Sequence, residues 1–176
     1  MIDDKMDNAA VDTEDEEEGK CVELTMHPVG HKDFKGSVDI TDPCYKRDVW
    51  CRMNDVKIAE GSYLCAVWKN DNPTDRFDEG RIFQIGIYHD GKLPEREAME
   101  KIGDIGVDAG LAGFFHEKPD FSDEEWGDFC NRIGMGHVFL EEDSFFSSSG
   151  YGDGMYPVYA AKDGAGQIVA LEICFL

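Results

Sequence analysis

The sequence predicts an α+β domain that is predominantly β: an antiparallel, two-layer, sandwich-like sheet structure with one clear helix. Three observations favour this class. Apolar and polar residues alternate along several short segments, glycine-containing turns separate these segments, and only one segment has helical periodicity. At 176 residues the chain has the length of one ordinary domain, so we expect residues 21–176 to form a single β-rich domain.

The end of the chain predicts a β-hairpin. Alternate apolar positions indicate a strand with one face against a core, namely Val169, Leu171, Ile173 and Phe175. Glu172 lies between them and points the other way. A turn with two glycines, at residues 163–166, comes before this strand. We therefore expect the strand to pair antiparallel with residues 156–161.

The first half of the chain predicts four strands, at residues 21–26, 36–40, 56–60 and 62–69. Residues 27–31, which include a proline, indicate a break after the first strand. The third and fourth strands are expected to pair with each other around a glycine. Because the fourth carries apolar residues on both faces, it is predicted to be a central strand.

The middle of the chain predicts further strands and the helix. Residues 81–89 form a strand closed by an Asp-Gly turn, which is a hairpin signal. Small and branched residues predict another strand within residues 102–115. The helix is expected over Ser122–Ile133, because Ser122 is a good N-cap, acidic residues follow it, and Gly134 ends the pattern.

The chain is strongly acidic, with a net charge of −21. Residues 1–20 hold nine acids against two lysines and few apolar residues, so we expect a disordered acidic tail. The remaining chain is acidic as well. This charge disfavours direct binding to nucleic acid or to an anionic membrane, since both require clustered Lys and Arg. A basic protein, a metal ion or a cationic ligand is the compatible partner.

The sequence contains no recognisable signal peptide and no apolar run long enough to cross a bilayer. We therefore expect an intracellular, cytoplasmic protein. Six cysteines without a paired C-x-x-C pattern are then predicted to be free thiols. The P-loop, G-x-S-x-G and H-E-x-x-H signatures are also missing from the sequence.

The glycine-rich segment at residues 150–154 is a candidate binding loop. One interpretation is a tight connection in which Asp153 bonds to neighbouring backbone amides. The other is a ligand loop with Asp153 exposed at its tip. Tyr151 lies between two glycines and is predicted to be an exposed recognition ring. The candidate binding residues are therefore Tyr151, Asp153 and Tyr156.

Three aspartates form a candidate metal site. Asp42, Asp108 and Asp153 each lie beside a glycine or proline at a predicted strand end, and three carboxylates suit Mg²⁺ or Ca²⁺. The alternative is that each has an ordinary structural role in a turn. His116, next to Glu117, offers a base for such a site, or is simply a packed or surface histidine.

Three segments carry a resemblance to a known family: residues 41–45 (TDPCY), 106–114 (GVDAGLAGF) and 149–157 (SGYGDGMYP). Together they resemble an uncharacterised bacterial and phage family, domain of unknown function 4241, with its Val-Asp-Ala-Gly and Gly-x-Gly-Asp-Gly-x-Tyr-Pro motifs. The chain departs from that pattern after Phe114, where the family has acidic residues. The resemblance supports the fold prediction and implies no catalytic residues.

Two hypotheses about function follow. The first is a non-enzymatic binding module that needs no cofactor, such as an acidic protein inhibitor or a toxin-immunity protein, with a basic protein as partner. The alternative is a metal-dependent hydrolase that uses the three aspartates and Mg²⁺ or Ca²⁺. The sequence leaves the oligomeric state open.

Overall fold

The computed structural model describes residues 23–176, so the predicted disordered tail at residues 1–20 lies outside the described residues. The described chain forms two antiparallel sheets and one α-helix. This architecture confirms the predicted α+β, predominantly β class.

Eleven strands occur in the described residues. They are β1 (Thr25–Phe34), β2 (Ser37–Thr41), β3 (Met53–Lys57), β4 (Gly61–Lys69), β5 (Ile82–His89), β6 (Glu100–Val107), β7 (Leu111–Phe115), β8 (Val138–Leu140), β9 (Ser144–Ser148), β10 (Gly154–Lys162) and β11 (Ile168–Cys174). A six-stranded sheet has the order β1-β4-β5-β11-β10-β6, and a five-stranded sheet has the order β3-β2-β7-β9-β8. The helix α1 spans Asp123–Ile133.

The main core lies between the two sheets. Fully buried side chains reach it from both sides, for example Ile85 and Leu171 from the six-stranded sheet and Phe114 from the five-stranded sheet. Each such side chain contributes about 1.5–3 kcal/mol when it leaves water. The predicted C-terminal hairpin is confirmed, since β10 pairs with β11 and places Val158 opposite Ile173.

The helix packs on the outer face of the five-stranded sheet. Phe129 and Trp126 of α1 join Phe146 of that sheet in a second apolar cluster. The helix begins with a capping box, in which the Ser122 hydroxyl accepts the Glu125 N–H and the Glu125 carboxylate accepts the Ser122 N–H. The predicted helix and its N-cap are confirmed.

The predicted break at residues 27–31 is wrong, because β1 runs through them as one strand. A bulge between Pro28 and Gly30 shifts the register against β4 and lets the strand continue. β1 is also an edge strand of its sheet, where a proline removes no necessary ladder hydrogen bond.

One predicted pairing and one predicted hairpin are wrong. The pairing fails because the chain crosses from one sheet to the other between β3 and β4. β3 pairs with β2 instead of β4, although β4 is central as expected, between β1 and β5. The Asp90-Gly91 turn forms with positive φ at both residues, yet β6 pairs with β10 rather than with β5. The predicted strand within residues 102–115 is two strands, one in each sheet.

Candidate functional site

Asp42 joins two bends of the chain at one edge of the sandwich. Its side chain is fully buried. Oδ2 accepts the backbone N–H groups of Asp108 and Ala109 at 2.8 and 2.6 Å, and Oδ1 accepts the N–H of Cys44 at 2.8 Å. A buried carboxylate requires such donors. Asp42 therefore ties the bend after β2 to the bend between β6 and β7.

The glycine loop, residues 150–154, is the third bend at this edge. The Ser149 N–H donates to the Gly110 carbonyl at 3.0 Å. Gly154 pairs with Val107 at the end of the β10–β6 ladder. The glycine loop therefore lies directly beside the bend that follows β6, and all three bends meet.

We call the surface formed by residues 42–52, 106–110 and 150–155 the loop rim. A cavity of about 590 Å³ opens on it. Asp108 and Asp153 are both exposed and both line this cavity. The structure thus brings together two of the three predicted aspartates around open space, while the third is buried beneath them.

This cavity, which we call the Trp50 cavity, also has apolar walls. Trp50 is 83% exposed and Met155 is 51% exposed, and both line it together with Tyr45 and Cys51. Such exposure of large apolar side chains in one place marks a candidate interaction site. Trp50 is not among the predicted binding residues, because a tryptophan in a segment without apolar periodicity is most simply explained by core filling.

The Tyr45 hydroxyl and the Cys44 thiol, which lie near this cavity, stay protonated. Burial raises the pKa of the Tyr45 hydroxyl, and Cys51, Asp108 and Asp42 raise it further. Burial, followed by the charge of Asp42, also raises the pKa of the Cys44 thiol. A nucleophilic cysteine needs a lowered pKa, so Cys44 behaves as an inert side chain in this setting.

A buried ion pair positions the segment that carries Trp50. Asp39 is 2% exposed, and its carboxylate accepts from the Arg52 guanidinium at 3.1 Å and from the Asp55 N–H at 2.9 Å. Arg52 also donates to the carbonyl of Tyr45 at 2.9 Å. This network links β2 to the loop that follows it and holds one wall of the Trp50 cavity.

The glycine loop requires its glycines. Gly150 and Gly152 have φ values of 54° and 105°, which side chains rarely adopt. A Cβ at Gly150 would also lie 2.8 Å from the Cβ of Phe175. Asp153 is exposed, and no hydrogen bond to its carboxylate occurs within residues 23–176. The structure therefore fits the interpretation with Asp153 exposed on the loop.

Tyr151 is 63% exposed, as expected for a recognition ring. Its hydroxyl donates to Asp78 Oδ1 at 2.9 Å, and the guanidinium of Arg81 lies over the ring, 4.3 Å from its centre. The hydrogen bond to Asp78 raises the pKa of Tyr151. Tyr151 is therefore held in place while one part of its ring faces outwards.

Arg81 attaches the glycine loop to the 3₁₀ turn at residues 76–78. Its guanidinium donates to the carbonyl of Gly150 and, at 2.8 Å, to the carbonyl of Phe77. A second cavity of about 280 Å³ lies here, lined by Phe77, Arg81, His137 and Gly150 among others. The glycine loop thus separates two cavities, each with an exposed aromatic residue at its wall.

Tyr156 supports the glycine loop from inside. It is only 8% exposed, its hydroxyl donates to the Gly152 carbonyl at 2.7 Å, and its ring packs edge-on against Phe175. Burial raises its pKa, so the hydroxyl remains a donor. Tyr156 is therefore placed to support the loop, and its direct contact with a partner stays a prediction.

His116 lies apart from the aspartates. It lines a different cavity, of about 410 Å³, with Lys35, Ser37, Glu117 and Asp143. Its ring stacks on Phe34, and Nε2 is 3.2 Å from the carbonyl oxygen of Asp33. The suggestion that His116 serves as a base beside Asp108 is therefore wrong.

The metal site stays a prediction. In the part of the chain that the structure describes, no group of three or more His, Cys, Asp or Glu side chains is placed to hold a metal ion. Both carboxylate oxygens of Asp42 already accept backbone hydrogen bonds. Asp108 and Asp153 are the two predicted ligands that face a common cavity.

The fold and the site together define an antiparallel β-sandwich with an acidic, aromatic loop rim. Comparisons with known proteins found no matching family model, no matching curated protein and no matching solved structure. The resemblance to the uncharacterised bacterial and phage family therefore stays a prediction. Within residues 23–176, no helix has both the length and the apolar character needed to cross a membrane.

Proposed function

We propose that this chain is a non-enzymatic binding module that recognises a basic protein through the loop rim, in the manner of an acidic inhibitor or a toxin-immunity protein. One observation supports the proposal above all others. The exposed rings of Trp50 and Tyr151 share a single rim with the exposed carboxylates of Asp108 and Asp153.

The physics of protein interfaces supports this combination. Trp and Tyr are the residues that most often dominate binding energy, and complementary charge accelerates and orients encounters. The net charge of −21 extends the attraction for a basic partner beyond the rim. A protein of this charge that covers the basic groove of a nuclease would keep nucleic acid out of it. The same charge opposes direct binding to nucleic acid or to an anionic membrane.

We further propose a cytoplasmic location. The five cysteines in the described residues are free, and free thiols are typical of a reducing compartment. The proposed binding needs no cofactor, because side chains of the rim supply both the apolar and the charged contacts.

The full chain, immobilised as bait in an extract of its source cells, tests the proposal. We expect wild type to retain a basic protein that a rim variant (Trp50→Ser, Tyr151→Ser, Asp153→Asn) does not retain. The protein is then identified, purified and titrated calorimetrically. Because screening lengths shorten with salt, its Kd should rise about tenfold or more between about 50 and 200 mM NaCl.

Met135→Ser is the matched control, because it removes a side chain that is 93% exposed and lies just after α1, outside the loop rim. It should retain the partner as wild type does. Equal retention by wild type and the rim variant, or a Kd that does not change with salt, would contradict the proposal. Deleting residues 1–19 shows in addition whether the acidic tail contributes to binding.

The alternative function is a metal-dependent hydrolase, which is favoured by one observation: Asp108 and Asp153 line the same cavity. Mg²⁺, Mn²⁺ or Ca²⁺ bound there would stabilise the native state by RT ln(1 + L/Kd), where L is the free ion concentration, so the melting temperature would rise with the logarithm of L once L exceeds Kd. We would measure thermal unfolding with each ion, for wild type and for Asp153→Asn. No shift, or a shift that Asp153→Asn leaves unchanged, removes this alternative.

A further inference from the structure

We propose that the Trp50 cavity is a pocket for one arginine side chain of the partner. This inference rests on the proposed function and names the group that the loop rim selects. The charge of the cavity and its apolar walls support this inference, and the same chemistry occurs in complete form on the other side of the glycine loop.

The cavity carries uncompensated negative charge. Asp108 and Asp153 line it, and among its lining residues none is basic. Elsewhere on the described surface, some carboxylates have a basic neighbour, as Asp104 has in Lys101 and Asp78 has in Arg81. A cationic group that enters the cavity would meet two carboxylates and no basic side chain among the residues that line it.

The apolar walls favour a cation with a long stem. The indole of Trp50 offers the best aromatic face for a cation–π contact, which arginine makes more often than lysine. A planar guanidinium can stack on that ring and still direct its edge N–H groups to Asp108 or Asp153. Met155 is then available to contact the methylene stem. A small inorganic cation would use none of these apolar surfaces.

On the other side of the glycine loop, the chain itself contains an arginine held by an aromatic ring and a carboxylate. There the guanidinium of Arg81 lies 4.3 Å from the centre of the Tyr151 ring, and Asp78 Oδ1 lies 3.5 Å from Arg81 Nε. An aromatic ring, a carboxylate and a guanidinium are all present. The Trp50 cavity has the ring and the carboxylates, and the partner would supply the guanidinium.

Gly106 of β6 leaves room for the side chains of Cys51 and Tyr45, which line the cavity. A Cβ at Gly106 would lie 2.6 Å from the Sγ of Cys51 and 3.2 Å from the hydroxyl of Tyr45. Glycine therefore allows these two side chains to lie flat against β6. The volume of about 590 Å³ is large enough for one arginine side chain, because pockets for drug-sized ligands span about 300–1,000 Å³.

The test titrates the full chain into a short fluorescein-labelled peptide in which arginine alternates with glycine. Binding is measured by the fluorescence anisotropy of the peptide at low salt. Matched peptides carry lysine or the neutral isostere citrulline in place of arginine. We expect the arginine peptide to bind, the lysine peptide to bind more weakly, and the citrulline peptide not to bind measurably. No binding of the arginine peptide, or equal binding of the citrulline peptide, would overturn the proposal.

Single variants locate the site. Trp50→Ser and Asp153→Asn should each weaken binding of the arginine peptide about 2- to 30-fold, the range of a single cation–π or charge contact. Asp128→Asn is the control, because it removes the same charge as Asp153→Asn but at an exposed position of α1. It should change the Kd of the arginine peptide by less than about twofold. Equal weakening by all three variants would show general attraction only, and would overturn the pocket.

The two proposals can fail separately. If the rim variant loses a basic partner while the single cavity variants bind the arginine peptide like wild type, the pocket fails and the proposed function stands. If the peptide binds and is lost in the cavity variants, yet no basic protein is retained, the proposed function fails and the arginine site stands. Thermal unfolding of each variant checks that the exposed changes leave the fold intact.

Discussion

Asp42 and Asp153 show how two aspartates of the same predicted group take different roles. Asp42 is buried and accepts three backbone N–H groups. Asp153 is exposed on the glycine loop. Because Asp42 is buried and hydrogen-bonded, its role is to stabilise the fold. Because Asp153 is exposed, its carboxylate can contact a partner.

Asp42→Asn should therefore lower the free energy of unfolding by about 2–3 kcal/mol, because hydrogen bonds to a charged acceptor are lost and an amide N–H₂ faces backbone donors. Asp153→Asn should change it by less than about 0.5 kcal/mol. Urea unfolding followed by circular dichroism measures both. A larger loss for Asp153→Asn than for Asp42→Asn would contradict these roles.

Gly113 is a position where only a hydrogen atom fits. It lies in β7 opposite Phe146 of β9, and a Cβ there would come within 2.2 Å of the Phe145 carbonyl oxygen. Gly113→Ala should cost about 1–3 kcal/mol or more, because backbone must move. Gly164→Ala is the control, since its Cβ would meet nothing within 4 Å. Similar melting temperatures for the two variants would contradict this reasoning.

At the scale of elements, the outer face of the six-stranded sheet contains a buried polar network. Glu172 is 5% exposed, and its carboxylate accepts the Tyr88 hydroxyl at 2.8 Å and a nitrogen of Arg96 at 3.2 Å. Trp68 donates to the same hydroxyl at 3.0 Å. The Tyr88 ring lies over Gly86, where a Cβ would meet its hydroxyl at 2.4 Å. Together with the apolar side chains around Tyr88, this network covers part of that face.

Burial raises the pKa of Glu172 above its ordinary value of 4.5, although Tyr88 and Arg96 oppose the shift. The native state therefore binds the proton more tightly than the unfolded state, and stability from this group falls as pH rises above 4.5. Glu172→Gln removes this dependence. We expect the unfolding free energy of wild type minus that of Glu172→Gln to decrease from pH 4 upwards.

Urea unfolding at a series of pH values measures that difference. Glu100→Gln, a change at an exposed position of β6, is the control and should give a difference that stays nearly constant with pH. A difference between wild type and Glu172→Gln that increases with pH would contradict the burial argument, because the charged carboxylate would then be the favoured native form.

The whole molecule carries a net charge of −21, and the fold brings the charges of residues 23–176 close together. Self-repulsion therefore opposes folding. Raising NaCl from about 20 to 300 mM shortens the screening length to less than about 10 Å and should raise the melting temperature by a few degrees. KCl should act equally. A melting temperature that falls with salt would show that exposed attractive pairs, such as Lys101 with Asp104, outweigh the general repulsion.

Several elements were predictable because their signals are local. The period of two in β11, the turn before it and the cap of α1 each involve neighbouring residues. The pairing of β6 with β10 was not predictable, since the preceding Asp-Gly turn favours the nearer β5. The site was predictable only in part: Tyr151 and Asp153 stood out by their glycines, whereas Trp50 and the Asp39–Arg52 pair had no local signal.

By itself, the sequence determined the β-rich class, the helix and its cap, the C-terminal hairpin and the acidic charge, because propensity, periodicity and composition act over short distances. The tertiary structure alone decided which strands share a sheet and which bends meet. Asp42 and Asp108 are separated by 66 positions, yet one carboxylate joins them. Such a contact depends on how two sheets pack and close, which no local pattern encodes.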